Sequence, residues 1–180
     1  ETGFLKDGTK LPFHQIPCLV VDGVPIAQTG AIARFCGKLS GLYPSEDSIS
    51  CALIDQFIDF VTDLTNLVYI PSNSPLTEDE KIQHRRILAE GELKRKLDML
   101  EDNISVNQTW IVGKEMTIAD IAIWRGIGWL ASDLVAGIPQ PYFVNYPKIT
   151  KIFKNVDNHP KICEWVRKTY PSNYNRGYIE

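Results

Sequence analysis

The sequence lacks most of the features that mark the larger special classes of protein. Its four cysteines, Cys18, Cys36, Cys51 and Cys163, include no C-x-x-C pair and no dense framework. A disulfide scaffold is therefore excluded, and thiols in a reducing compartment, the cytosol, are expected. No apolar run approaches the ~20 residues that a membrane-spanning helix needs. A formal net charge of −3 and a pI near 5.7 leave no positive field for gathering phosphates, which argues against a nucleic-acid partner. The basic cluster Lys94, Arg95 and Lys96 reads as a solvated helix face. Residues Glu1 to Lys6 lack the charged-then-apolar layout of a signal peptide, which a truncated chain could have lost, and the glycosylation triplet Asn107-Gln108-Thr109 is of a kind that arises often by chance and carries little weight. Internal repeats and low-complexity tracts are absent. What remains is ordinary globular composition, and 180 residues leave one domain or two small ones open.

Pattern places a boundary. The apolar stretch Cys18-Leu19-Val20-Val21 is followed by Asp22-Gly23, a strong hairpin signal, and then by Val24-Pro25-Ile26, which predicts two antiparallel strands. Thr29 opens a helical segment through Ala31, Ile32, Ala33 and Phe35 that ends near Gly37 or Gly41. A hairpin and one helix are too little for a domain. After Leu42-Tyr43-Pro44-Ser45 the pattern is helical throughout, giving expected units 1–43 and 46–180. Leu53, Ile54, Phe57, Ile58, Val61, Leu64 and Val68 recur at steps of three and four and predict a long helix stopping before Pro71. A second helix opens on the capping box Thr77 to Glu80 and continues through Ile82, Leu88, Leu93, Leu97 and Leu100. A third opens on Thr117 with Asp120, Met116 standing ready to staple onto Ile121. Pro147 and Pro160 each begin a further helix.

The motifs resemble those of cytosolic glutathione transferases of the sigma and alpha type. The run Leu11-Pro12-Phe13-His14-Gln15-Ile16-Pro17-Cys18-Leu19-Val20-Val21-Asp22-Gly23 is similar to the family's PFGQ(V/I)PVLEVDG segment. Likewise Ile26-Ala27-Gln28-Thr29-Gly30-Ala31-Ile32-Ala33-Arg34-Phe35 is similar to its LAQSxAIARYL. Ala52-Leu53-Ile54-Asp55 with Asp59 and Asp63, and the Thr117 capping box, match the family's helical domain in the same order. The resemblance implies the second half of an α/β thioredoxin-like domain, strand-strand-helix, followed by an all-α domain. It also implies that the family's first strand-helix-strand, with its catalytic tyrosine, serine or cysteine, would precede Glu1, so the catalytic residue is unknown.

What the resemblance implies for the site can be put residue by residue. A cis Ile16-Pro17 bond would turn the Ile16 backbone outward, where a tripeptide pairs with it as an added strand. A trans proline on an edge strand is the reading from the residues alone. Gln28 and Thr29, at a helix N-terminus, would hold the γ-glutamyl carboxylate; from spacing alone they are a plain cap. Gln15 belongs to the same binding set. The glycine carboxylate would meet Lys6 or Lys10, with Lys6 preferred, because Asp7-Gly8-Thr9-Lys10 is about two residues longer than usual. His14 stands where the family has glycine.

Asp55, Asp59 and Asp63 fall four apart on one helical stripe, where like charges repel. A solvated face, a Mg²⁺ site and a cross-dimer contact are the three uses open to them; the resemblance gives Asp63 the last, reaching the γ-glutamyl amine of a neighbouring subunit. Trp124, Trp129, Tyr142 and Phe143 either line an apolar substrate pocket or fill core. The function so implied is a cytoplasmic, homodimeric enzyme using glutathione as co-substrate on small electrophiles, without a metal, a membrane or nucleic acid. A non-catalytic module of the same fold is the alternative.

Overall fold

The computed structural model describes residues 3–139 and 142–171. Residues 172–180 of the second expected unit lie outside the described residues. The first unit contains a 3-10 turn at Pro12–His14, strands β1 (Cys18–Val21) and β2 (Val24–Ala27), and helix α1 (Thr29–Ser40). The strands pair antiparallel with Cys18 opposite Ala27 and Val21 opposite Val24. Between them Asp22 and Gly23 take φ values of 49° and 79°, the positive pair a tight two-residue hairpin requires. Helix α1 ends at Gly41, whose left-handed φ of 75° and bond to the Gly37 carbonyl close the last turn.

The second unit holds α2 (Ser48–Val68), α3 (Glu78–Glu90), α4 (Glu92–Asn103), α5 (Ile118–Leu130), α6 (Pro147–Asp157) and α7 (Pro160–Thr169). Asp47, before the first turn of α2, accepts from the amides of Ile49 and Ser50 and starts the helix earlier than its apolar stripe. The single second helix expected from Thr77 to Leu100 is two. Gly91 stands between α3 and α4 with φ −117° and ψ −106°, outside helical geometry, so the chain turns there.

The core forms around α5. Its Ile123, Ile127 and Leu130 are buried with Ile54, Phe57, Leu64 and Val68 of α2 and Ile149, Ile152 and Phe153 of α6. Close approach of α5 to α2 depends on Gly126, where an added Cβ would lie 2.8 Å from Val61. Trp124 and Phe143 are buried, and Trp129 and Tyr142 pack half-buried against the same cluster, so these four aromatics belong to the core. Both capping boxes form: Thr77 with Glu80, and Thr117 with Asp120. Helix α1 docks on the helical unit through Gly37, where a Cβ would meet Ile118 at 2.8 Å, and through the Ile118 amide, which donates to the Leu42 carbonyl.

Candidate functional site

The hairpin register decides which predicted residues meet. Because Cys18 pairs with Ala27, the chain entering β1 and the chain leaving β2 lie at the same end of the hairpin. Gln15 and Ile16 enter there, with the Ile16-Pro17 peptide in the cis form. Gln28 and Thr29 leave there, opening α1. All four are exposed, Ile16 by 74%, so its apolar side chain and backbone face solvent instead of filling core. Among the described residues the Ile16 backbone makes no hydrogen bond.

Gln28 occupies the N-cap position of α1 with φ 71° and ψ 121°, and its side chain does not cap the helix. Thr29 is the first helical residue, so the plain-cap reading of Thr29 is replaced by an uncapped terminus. The leading amides of a helix lack intrahelical partners and carry the positive end of its dipole, which suits a carboxylate.

Lys6 and Lys10 are both exposed on a separate turn. There the Leu5 amide donates to Thr9 at 2.8 Å and Phe4 bridges to Lys10, which accommodates the longer Asp7-Gly8-Thr9 segment. Phe13 and His14 have φ values of 56° and 54°, so His14 takes the left-handed conformation a glycine would favour.

Asp63 stands apart from the other five. It is exposed on α2 and pairs at 3.7 Å with Lys96 of α4, whose ammonium also lies over the Phe60 ring. The aspartate stripe proves to be neither bare nor repulsive. Arg34 of α1, a residue the sequence reading left inside a motif without a role, donates from Nε to Asp55 at 2.7 Å and from Nη2 to Asp59 at 2.9 Å. Partial burial works against the guanidinium's charge, but its hydrogen bonds to the two carboxylates outweigh that and its pKa is raised. Asp55 also accepts from the buried Tyr43 hydroxyl at 3.1 Å. Burial first, then Cys51 and Asp55, hold that phenol above its ordinary pKa, so it stays protonated. The solvated-face reading is thus corrected for Asp55, whereas Asp59 stays on a solvated face, 70% exposed, while bonded to Arg34.

Comparison with known proteins points to one family. The family model described as "Glutathione S-transferase, C-terminal domain" matches residues 59–169. Glutathione S-transferase 1 of Ascaris suum is 29% identical over 164 residues, covering 87% of this chain and 75% of that protein. Hematopoietic prostaglandin D synthase of Gallus gallus is 27% identical, covering 88% of this chain and 74% of its own length. In structure, the chain is similar to rat hPGDS complexed with a quinoline, with a TM-score of 0.75 and 23% identity over 91% of this chain and 78% of that one.

Proposed function

This chain belongs to the glutathione S-transferase family, and from that premise we propose that it is a transferase or isomerase of the sigma/alpha type. It would bind glutathione and use the thiol on small electrophilic or apolar substrates. The observation that carries this reading is the exposed hairpin end where Gln15 and Ile16 adjoin Gln28, Thr29 and the open N-terminus of α1. There the Ile16 backbone would pair with the tripeptide as a short added strand. The α1 amides with Gln28 and Thr29 would take the γ-glutamyl carboxylate, and Lys6 the glycine carboxylate. The thiolate is the nucleophile in this chemistry. We assign the thiol-activating hydroxyl to none of the described tyrosines, and Tyr43 is committed to Asp55.

A two-fold dimer completes the site in this reading, because closed symmetry lets each subunit lend Asp63 to the other. Two surface features favour such a pairing. Phe13 stands 73% exposed at a positive φ of 56°, and a hollow of ≈ 170 Å³ opens on α2 and α4, lined by Phe57, Phe60, Met99 and Leu100 with Gln56 and Asn103. An exposed aromatic and an apolar hollow are complementary between two copies. No helix among the described residues is long and apolar enough to cross a membrane, and a cytoplasmic location agrees with the free cysteines. Retention on immobilised glutathione tests the site. The Gln28→Ala, Thr29→Ala double variant should be retained far less than the parent, and equal retention would remove this surface from the account.

A further inference from the structure

We infer that Arg34 is a positioning residue for the glutathione site, fixing the first turn of α1 on α2 without touching the ligand; this rests on the placement of glutathione at Gln28 and Thr29 proposed above. Arg34 follows Gly30 by four residues, and side chains on a helix lean toward its N-terminus. A Cβ on Gly30 would lie 2.8 Å from the Arg34 Nη1, so the guanidinium runs back along the first turn through a lane the glycine leaves open.

From that lane the guanidinium reaches two carboxylates one turn apart on α2, Asp55 at 2.7 Å and Asp59 at 2.9 Å. Two bonds from one planar group to two points on a helix define both the separation of α1 from α2 and the rotation of α1 about its axis. Asp55 is itself oriented by the Tyr43 hydroxyl. Among the described residues no other hydrogen bond or ion pair joins α1 to α2. The C-terminal half of α1 is held separately, by the packing of Gly37 on Ile118. Without Arg34, the half of α1 that presents Gln28 and Thr29 keeps only apolar contacts, Gly30 toward Ile58 of α2 and Ala33 on the core, and no polar bond fixes its rotation on α2.

A merely structural ion pair would behave differently. The Asp59 side chain is 70% exposed, and a contact of that kind adds little to stability, while Asp55, 34% exposed, keeps its bond from the Tyr43 hydroxyl when Arg34 is replaced. What the second contact adds is geometric.

Two variants of the full chain separate the roles. Arg34→Met removes the fork while keeping an unbranched apolar stem. Gly30→Ala keeps Arg34 but places a methyl in its lane, and alanine favours helix over glycine. Calorimetric titration with glutathione should show an affinity loss of about tenfold in Arg34→Met, the scale of one charged hydrogen bond, and a smaller loss in Gly30→Ala, where the end of the Arg34 side chain can shift aside. Amide exchange at Ile32, which bonds to the Gln28 carbonyl at 3.0 Å, should speed up, while the unfolding midpoint stays within a few degrees, or rises in Gly30→Ala. Adding Asp55→Asn to Arg34→Met should cause no further loss of affinity, since both break one link. Parental affinity in Arg34→Met, or an affinity loss that only tracks a lowered midpoint, would overturn the inference. Unchanged Ile32 exchange would overturn the anchoring itself. Parental binding in the Gln28→Ala, Thr29→Ala variant would instead overturn the ligand placement.

Discussion

Asp120 is fully buried and remains useful because every bond around it is made. One oxygen accepts from the Ile111 amide at 2.8 Å; the other accepts from the Thr117 amide at 2.8 Å and the Thr117 hydroxyl at 2.9 Å. Thr117→Ala should therefore destabilise the fold by about 1 kcal/mol, read from chemical denaturation, with no separate effect on ligand binding. Burial raises the Asp120 pKa and the hydrogen bonds to its carboxylate lower it, with burial prevailing. The folded state then holds a proton that the unfolded chain has released across the interval between the ordinary and the raised value. This group's contribution to stability thus falls as pH rises through that interval. The exposed Thr77 box has the opposite sign, because bonds from Thr77 hold Glu80 below its ordinary pKa. Its contribution is complete above the ordinary range and lost as pH falls through the lowered value. Denaturation midpoints of Glu80→Gln and parent should therefore differ near neutrality and converge in strong acid. Both boxes were legible as a threonine with an acidic residue three positions on. Arg34 was not, since nothing local in a helix shows which distant carboxylates its side chain will meet.

Elements were legible where a local signal marks their ends and obscure where a distant residue does. Pro147 and Pro160 announced α6 and α7, and the three-and-four spacing announced α2. The break at Gly91 was missed because apolar residues continue on both sides of it, although the step of five from Leu88 to Leu93 departs from the three-and-four spacing; that step and the glycine were the available signals. The start of α6 shows the other case. Tyr146 at its N-cap offers no side-chain cap, and Glu101 of α4 supplies one from far along the chain, accepting from the Lys148 amide at 2.8 Å and the Ile149 amide at 2.9 Å. A carboxylate there also faces the positive end of the helix dipole. Glu101→Ala should lower stability by about 1 kcal/mol or somewhat more in chemical denaturation, while Glu101→Gln, which keeps an acceptor, should lose less.

At the scale of the whole molecule, the sequence marked a hairpin, a helix and an all-helical unit in the right order, but the proposed site depends on the register that sets Gln15 and Ile16 beside Gln28 and Thr29. The proposed dimer rests in the sequence on Asp63 alone; the exposed Phe13 and the hollow on α2 and α4 are the surface features added to that proposal. Sedimentation of the parent should show a dimer, and Phe13→Ser should shift it toward monomer. Asp63→Asn should stay dimeric yet bind glutathione several-fold more weakly, as expected when a charge-assisted bond becomes a neutral one. A monomeric parent that binds glutathione normally would return Asp63 to the solvent. The most direct test of the central claim is a titration of the isotope-labelled chain with reduced glutathione, followed by amide chemical shifts. The account predicts saturable shifts concentrated at Gln15, Ile16, Gln28, Thr29 and Gly30, with α6 and α7 silent. Shifts confined to the helical unit, or none at saturating ligand, would contradict it.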